Sequence, residues 1–311
     1  MEKQNWPLTH YVGLTAKGFC MGASDVVPGV SGGTMAFILG IFEELIQAIR
    51  SFDLKSLRLL FALKFGRFLN AVSWEFLLSV GVGILLAIFT LARGLAWLLE
   101  NKPVFIWSFF LGLILASVLT VSRRVTHWRP GTWLSFFLGL AGIYFLVGLV
   151  PGSTPNDSWF LFLSGATAVC AMILPGISGS FILVLMGKYQ YILEAVNQRD
   201  FEVLLIVAAG AVIGIMAFSR LLGWILKRYH DLMVALLIGL MLGSLRKIWP
   251  WKETLETAVG THGNMVPLVQ VNTLPPCLNH EVAVALALMA VGFGVVVVLD
   301  WMAGKAGRGS T

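Results

Sequence analysis

The chain has 311 residues, of which 58% are hydrophobic and 12% are charged, and its formal net charge is +6. Soluble domains carry about 25% charged residues, so this composition predicts an all-α polytopic membrane protein and excludes a soluble globular domain. The basic residues lie in short loops, where the cytoplasmic preference of Lys and Arg accounts for them, so the charge does not indicate nucleic-acid binding. The three cysteines lack metal-site or disulfide spacing, and no metal or cofactor is expected. The N-terminal residues lack the pattern of a cleaved signal peptide, and none is expected.

The first predicted elements are an apolar stretch at 11–49 and a basic, amphipathic segment at 52–72. The apolar stretch is interrupted by PGVSGG at 28–33, because proline and glycine are poor residues for a helix interior. The segment at 52–72 is expected to lie on the membrane surface as an anchor. Each of the next three apolar runs is near the ~20 residues that a membrane-spanning helix needs. These runs are 75–99, 103–122 and 131–150.

The second half of the chain repeats this order without the amphipathic segment. An apolar stretch at 158–197 is interrupted by PGISGS at 175–180. Charged residues about ten positions from the motifs limit the helical limbs to ~15 Å, half of a ~30 Å hydrocarbon core. We therefore expect two re-entrant hairpins, while the uncharged limb 158–174 is also long enough to span. The last three spanning runs are 203–226, 231–248 and 281–300.

The two halves of the chain align as repeats. Gly40 matches Gly187 at an offset of 147, and Arg93 matches Arg220 at an offset of 127. The difference between the offsets corresponds to the extra amphipathic segment of the first half. The chain is therefore predicted to consist of two repeats, 1–150 and 151–311.

Loop charges predict how the repeats cross the membrane. Each half has one hairpin and three spanning helices, and this odd number of crossings inverts the second half relative to the first. The basic loops place both termini in the cytoplasm. The first hairpin then opens to the cytoplasm and the second to the outside. The loop at 249–280 is external in spite of Lys252, which is the weakest point of this assignment.

The two glycine-rich motifs are candidate anion sites, since inverted repeats with interrupted helices are typical of secondary transporters. At a helix break the backbone N–H groups lose their partners, and the new helix N-terminus carries partial positive charge. Irregular backbone at membrane depth needs protein, water or a ligand to satisfy it. Each motif is thus a tight structural turn or an anion-binding turn, and the inverted pair favours binding. The candidate binding residues are Pro28, Gly29, Ser31, Gly32, Gly33 and Thr34 in the first motif, and Pro175, Gly176, Ser178, Gly179 and Ser180 in the second.

Three charged residues add to this hypothesis. Arg93 and Arg220 lie clearly inside predicted spans, where an arginine costs ~2.5–3.5 kcal/mol and marks a substrate path unless it snorkels to the interface as an anchor. Because arginine binds phosphate bidentately, the pair predicts a phosphate-like substrate. Asp25 precedes the first motif, and its repeat position is Met172. Proton transfer, orientation of an arginine or of Lys17, and capping of the break stay open as roles of Asp25.

The run SDVVPGVSGGT and its partner LPGISGS resemble the bacterial polyprenyl-phosphate translocase family called PopT. The resemblance covers most of the chain, and the element SD-x-x-PGVSGGT is distinctive. It implies recycling of undecaprenyl phosphate, the lipid carrier of cell-wall precursors, from the outer to the inner leaflet of the bacterial cytoplasmic membrane. The positions that match the family's motifs are Asp25, Pro28 through Thr34 and Pro175 through Ser180. The roles of the two arginines are inferred from the residues themselves and not from the resemblance.

Two other functions stay open at this point. Undecaprenyl-pyrophosphate phosphatases also use inverted re-entrant repeats, but they carry an arginine in a P-G-x-S-R-S element and a glutamate cluster. That arginine is missing here, and Glu43–Glu44 is a weak substitute for the cluster. A transporter or channel for a small soluble anion would use the same breaks, but its path would open to water rather than sideways to the bilayer. The expected partners are therefore the polyprenyl-phosphate lipid and the bilayer, and a homo-oligomer stays open.

Overall fold

The computed structural model describes residues 7–26, 31–149, 152, 154–259, 265–275 and 279–308. The described residues are mostly helical, which confirms the predicted all-α membrane class. Pro28 and Gly29 lie outside the described residues. In chain order the elements are α1 (Leu8–Asp25), α2 (Gly32–Ile38), α3 (Phe42–Arg50), α4 (Leu54–Phe61), α5 (Phe65–Ala71), α6 (Trp74–Asn101), α7 (Pro103–Ser122), α8 (Pro130–Val147), α9 (Ser158–Ile173), α10 (Gly179–Leu185), α11 (Tyr189–Gln198), α12 (Phe201–Arg228), α13 (His230–Ile248), β1 (Lys252–Val259), β2 (Met265–Asn272) and α14 (His280–Arg308).

Five of the six predicted spans form helices that are long and apolar enough to cross a membrane, namely α6, α7, α8, α12 and α14. The sixth predicted span forms α13, a helix of 19 residues that carries Asp231 in its first turn and Arg246 and Lys247 in its last. The middle of α13 is enclosed in the core, since Leu237 and Met241 are completely buried. A helix that is covered on all sides by protein lies at the centre of the bundle.

Each predicted hairpin bends twice rather than once, which corrects the sequence expectation. The first break separates the end of α1 at Asp25 from the start of α2 at Gly32, and a bend of 118° separates α2 from α3. The second break, residues 174–178, separates α9 from α10, and another bend precedes α11. Gly40 and Gly187 occupy these additional bends with φ of +72° and +64°. Glycine ends a helix readily in this left-handed conformation, so the matched glycines are the physical cause of the bends.

The helix packing repeats at the two offsets that the sequence shows. A Cβ on Gly18 of α1 would collide with the Val80 carbonyl oxygen of α6, and one on Gly165 of α9 would collide with the Val207 carbonyl oxygen of α12. The two glycines are 147 positions apart and the two valines 127. Glycine at these positions lets the paired helices approach closely, so both halves of the chain pack the same helix pair in the same way.

The third long helix of each half packs against the second long helix of the other half. Gly112 of α7 lies against the Met289 carbonyl of α14, and its repeat mate Gly239 of α13 lies against the Phe136 carbonyl of α8. Neither glycine has room for a side chain. The halves are therefore interlocked, while their inverted orientation in a membrane stays a prediction.

The 249–280 segment, expected only as a loop, contains an antiparallel pair of strands. In β1 and β2, Lys252 pairs with Asn272 and Val259 with Met265. Two threonines and a valine in β1 and three valines in β2 are β-branched residues, which favour extended backbone. The hairpin is attached to the end of α13, where Trp249 donates its indole N–H to the Thr273 carbonyl across 2.8 Å. The 52–72 segment forms the short helices α4 and α5, and its location on a membrane surface stays a prediction.

Candidate functional site

The two breaks contact each other in the interior of the protein. Gly176 donates its backbone N–H to Thr34 Oγ1 across 3.0 Å, and Ser31 Oγ donates to the Met172 and Leu174 carbonyls at 3.1 and 3.3 Å. Ser31 and Thr34 are fully enclosed. The meeting of the two motifs, which the repeat predicts, is thus present, whereas their depth in a membrane stays a prediction.

Side chains of the protein already satisfy the first break. Asp25 Oδ1 accepts the Gly32 backbone N–H at 2.6 Å, and Ser31 Oγ accepts the Gly33 N–H at 3.1 Å. These amides are two of the donors that the start of α2 leaves without helical partners. Of the three roles considered for Asp25, the structure shows the capping of the break. In the described residues no ion pair joins Asp25 to Lys17 or to an arginine. An anion at this turn would have to displace the Asp25 carboxylate.

The second break has no equivalent cap in the described part of the chain. Ser178, the N-cap residue of α10, accepts no backbone N–H from that helix. The hydroxyls of Ser178 and Ser180 lie 2.8 Å apart, and Ser180 is exposed. Met172 occupies the position that Asp25 has in the first repeat, so no carboxylate competes for these hydroxyls. The symmetric motifs are therefore chemically unequal, and only the second has an exposed serine hydroxyl among the described residues of the two motifs.

The remaining motif residues shape the second turn. Pro175 and Gly179 are buried. Gly176 has φ of +85°, and a Cβ there would lie 2.8 Å from the Leu240 carbonyl oxygen and 3.2 Å from Ser244 Oγ. The second break thus lies directly against α13, and glycine is required at residue 176 by both its conformation and its surroundings.

The structure does not bring the two arginines to the breaks. Arg93 is exposed on α6, and Arg220 is half-buried on α12. Neither has a hydrogen bond or an ion pair in the described part of the chain. Their part in a substrate path consequently stays a prediction, as does their alternative role as interfacial anchors.

A cavity that sequence reasoning missed lies at the bend between α2 and α3. Its volume is about 400 Å³. His230 Nε2 lies 3.5 Å from Glu43 Oε1 in its wall, and the Arg124 guanidinium lies 5.4 Å from the centre of the Phe37 ring. The sequence indicated Arg124 and His230 only as residues of basic loops, and Glu43 as the end of a hairpin limb and as part of a weak substitute for a glutamate cluster. The residues that line the cavity are Phe37, Gly40, Phe42, Glu43, Glu44, Gln47, Arg124, His230 and Val234.

The two hairpins approach α13 from opposite ends. The first hairpin reaches the start of α13, where Glu43 contacts His230. The second reaches its end, where the Phe181 ring of α10 lies 5.1 Å from Lys247 Nζ. His230 and Lys247 are 17 positions apart on the helix, which corresponds to ~25 Å. The second break lies alongside the middle of the same helix, at Leu240 and Ser244, and the first break contacts the second break through Thr34.

Comparison with known proteins shows the family to which the chain belongs. Residues 21–266 match the VCA0040-like family, described as undecaprenyl phosphate translocase-like. A polyprenyl-phosphate transporter of Vibrio cholerae serotype O1 is 44% identical over 266 residues, which cover 86% of this chain and 86% of the relative. A polyprenyl-phosphate transporter of Staphylococcus aureus is 32% identical over 256 residues, which cover 76% of this chain and 86% of the relative. No solved structure matches the chain significantly. With the family match extending over most of its length, the chain belongs to the undecaprenyl phosphate translocase-like family.

Proposed function

We propose that this protein is a membrane translocase that returns undecaprenyl phosphate from the outer to the inner leaflet of the bacterial cytoplasmic membrane, for reuse in cell-wall precursor synthesis. The observation that carries the proposal is the contact of the two breaks beside the middle of α13, in a chain whose relatives are named polyprenyl-phosphate transporters. A transporter needs one substrate position that each side of the membrane reaches in turn. Two breaks held together by a few hydrogen bonds supply a closure that can open toward either side.

The direction of each opening follows from the hairpins. In this proposal the repeats are inverted, the first hairpin opens to the cytoplasm, and both termini are cytoplasmic. The approach of the hairpins to opposite ends of α13 supports the inversion, because re-entrant segments from opposite membrane faces would contact one long helix in this way. The cavity at Glu43 and Arg124 is then the cytoplasmic opening.

The substrate phosphate meets the second break in this proposal. Ser178 and Ser180 supply hydroxyl donors there, while the Asp25 carboxylate keeps the first break closed to anions. Arg93 and Arg220 act at the two edges of the path, where the head group leaves or enters bulk lipid. Their lack of protein partners in the described residues supports this role, since a free guanidinium can bind a phosphate bidentately.

The protein is proposed to be a transporter and not an enzyme. The second motif, with Gly179 between Ser178 and Ser180, lacks the arginine of the phosphatase element. The relatives carry the name of transporters, which agrees with this assignment. Transport of a small soluble anion would use the same breaks, so the experiment has to separate the two substrates.

The test is transport by the purified protein in liposomes. Labelled undecaprenyl phosphate is placed in the outer leaflet, and its loss of accessibility to an added water-soluble phosphatase is measured against protein-free liposomes. We expect faster loss with the protein, no uptake of inorganic phosphate, and no phosphate release from undecaprenyl pyrophosphate when protein alone is added. Phosphate uptake without lipid movement would favour the soluble-anion function, and phosphate release would favour the enzyme.

A further inference from the structure

Three basic residues lie where the predicted topology is external. Arg246 and Lys247 end α13, and Lys252 begins β1. The preference of Lys and Arg for the cytoplasmic side does not account for them there. The presence of basic residues on the external side therefore needs another physical explanation. The contacts of each residue provide it.

Arg246 is held by contacts to α8. Its guanidinium donates to the Tyr144 carbonyl across 2.8 Å and lies 4.4 Å from the centre of the Tyr144 ring. The buried Lys188 is likewise satisfied, because its Nζ donates to the Thr154 carbonyl at 2.7 Å and to Asn156 Oδ1 at 2.6 Å. These two cations hold loops and helix ends together, and no ligand is needed to explain them.

Lys247 and Lys252, which we call the lysine pair, are different. Lys252 Nζ donates to the Lys247 carbonyl oxygen and lies 4.8 Å from the centre of the Trp107 ring. Lys247 Nζ lies 5.1 Å from the Phe181 ring and has no hydrogen-bond acceptor in the described part of the chain. An ammonium group has three N–H donors, so both lysines have donors left over. Both side chains are half-buried.

The lysine pair also lacks a counter-charge. Neither ammonium forms an ion pair with a described residue. Burial, followed by the charge of Lys247, lowers the pKa of Lys252 to about 8. Two like charges held close together and partly removed from water repel each other, and an anion between them would offset this cost.

The position of the pair is built by the fold and does not depend on a flexible surface loop. The β-hairpin folds back on the end of α13, where Asn272 donates to the Arg246 carbonyl across 2.9 Å. Lys252 is the strand partner of Asn272. The hairpin that the sequence did not predict thus fixes Lys252 beside Lys247.

The lysine pair lies one helical turn beyond the second break. Gly176 of that break lies against Ser244 of α13, and Lys247 is three residues further along the same helix face. Phe181, which Lys247 contacts, directly follows Ser180. An anion held by the lysines would therefore lie next to the hydroxyls of the second break.

We propose that Lys247 and Lys252 form a binding site for a phosphate monoester, which the second break then receives. The identification of that ligand as the lipid head group rests on the proposed function. The chemistry that the site recognises is shared by inorganic phosphate. Because a phosphate monoester has three terminal oxygens, it can accept from both ammonium groups at once.

The experiment measures binding to the full-length protein in detergent by isothermal titration calorimetry. The probes are inorganic phosphate and farnesyl phosphate, with farnesol as the uncharged control. The variants are Lys247→Gln, Lys252→Gln, both together, and Lys247→Arg, which keeps the charge. Lys102→Gln is the matched control, because Lys102 Nζ also lies over an aromatic ring, 5.9 Å from the centre of Phe105, but is exposed. Size-exclusion profiles verify that every variant is folded.

Each glutamine variant is expected to weaken phosphate binding about ten- to a hundredfold, the effect of losing one charged hydrogen bond. Lys247→Arg and Lys102→Gln should bind like the wild type. Binding by the double variant at wild-type affinity, or equal weakening by Lys102→Gln, would overturn the site. If the lysines bind inorganic phosphate as tightly as farnesyl phosphate and no lipid moves in liposomes, the anion site stands and the proposed function fails. If lipid moves normally with the double variant, the proposed function stands and the site fails.

Discussion

The Gly176 N–H and the Thr34 hydroxyl form a hydrogen bond of 3.0 Å that joins positions 142 residues apart. Both residues are buried, and each belongs to one of the two glycine-rich breaks. This bond, together with the contacts of Ser31, joins the two breaks. A transport cycle that opens the breaks has to disrupt it.

Thr34→Val should therefore destabilise the closed state. Valine keeps the shape of threonine but leaves the buried Gly176 N–H without its acceptor, which costs about 1–3 kcal/mol. We expect a lower thermal unfolding midpoint in detergent and an altered rate of lipid movement in liposomes. Thr34→Ser retains the hydroxyl and is the control. Wild-type stability of Thr34→Val would show that the bond contributes little to the closure.

Asp25 is expected to act first as a helix cap. Asp25→Ala removes the acceptor of the Gly32 N–H, and loss of such a cap costs about 0.5–2 kcal/mol. Asp25→Asn retains a carbonyl acceptor, so its stability should stay close to that of the wild type. Thermal unfolding compares the three proteins, and transport by the Asn variant is then followed across pH. A stable Asn variant without transport would assign proton transfer to Asp25, whereas equal instability of both variants would contradict the capping role.

The two additional hairpin bends allow the effects of the same substitution to be compared at matched positions of the two repeats. Gly40 and Gly187 both have positive φ, where a residue with a side chain costs about 1–2 kcal/mol. A Cβ on Gly40 would have open space except for Arg124 at 3.7 Å, but one on Gly187 would collide with the Gly152 carbonyl. Gly187→Ala should thus lower the unfolding midpoint more than Gly40→Ala. Gly13→Ala, at an uncrowded helical position, is the control and should be neutral or stabilising. Equal effects at both bends would mean that Gly152 moves away and makes room for the side chain added at residue 187.

The helices and the pairing of the breaks could be predicted because their signals are local or repeated. Long apolar runs define α6, α7, α8, α12 and α14 without any tertiary information. The shared motif indicated that the two breaks are equivalent, and their contact followed from the repeat. The second bend of each hairpin could not be predicted, because the match of Gly40 with Gly187 does not by itself disclose a positive φ.

The chemical differences between the breaks needed the structure. The sequence showed Asp25 opposite Met172 but left its role open, since only the position of Gly32 shows which backbone group the carboxylate binds. The sequence singled out Lys252 only as a charge that opposes the predicted topology, and it did not single out Lys247. Their pairing depends on the β-hairpin. The wall of the cavity at the bend between α2 and α3 depends on Arg124 from the turn after α7 and on His230 from the start of α13. Long-range packing of this kind leaves no periodic pattern in the chain.

The arginine hypothesis predicts a defect in transport. Arg93→Ala or Arg220→Ala should weaken head-group binding about ten- to a hundredfold, since each removes a charged hydrogen-bond donor. Lysine should restore binding only partly, because it keeps the charge but lacks the planar fork. Farnesyl phosphate binding and lipid movement in liposomes are measured for each variant. Arg67→Ala, in the exposed part of the amphipathic segment, is the control. Normal binding and movement by both alanine variants would make the arginines interfacial anchors.

Phosphate binding at the lysine pair should depend on pH. The pKa of Lys252 lies at about 8, so its charge is present at pH 7 and is lost as the pH rises through 8. Around it, α13 contributes the cations Lys247 and Arg246, while Trp107 from α7 and Asn272 from β2 carry no charge. A bound phosphate favours the charged lysine and raises its pKa, so weakening should become clear between pH 8 and 9.5. We expect the affinity for farnesyl phosphate, measured by calorimetry, to fall over this range in the wild type. Lys252→Arg keeps its charge throughout and should show a flatter profile; parallel profiles of the two proteins would show that Lys252 does not titrate in the site.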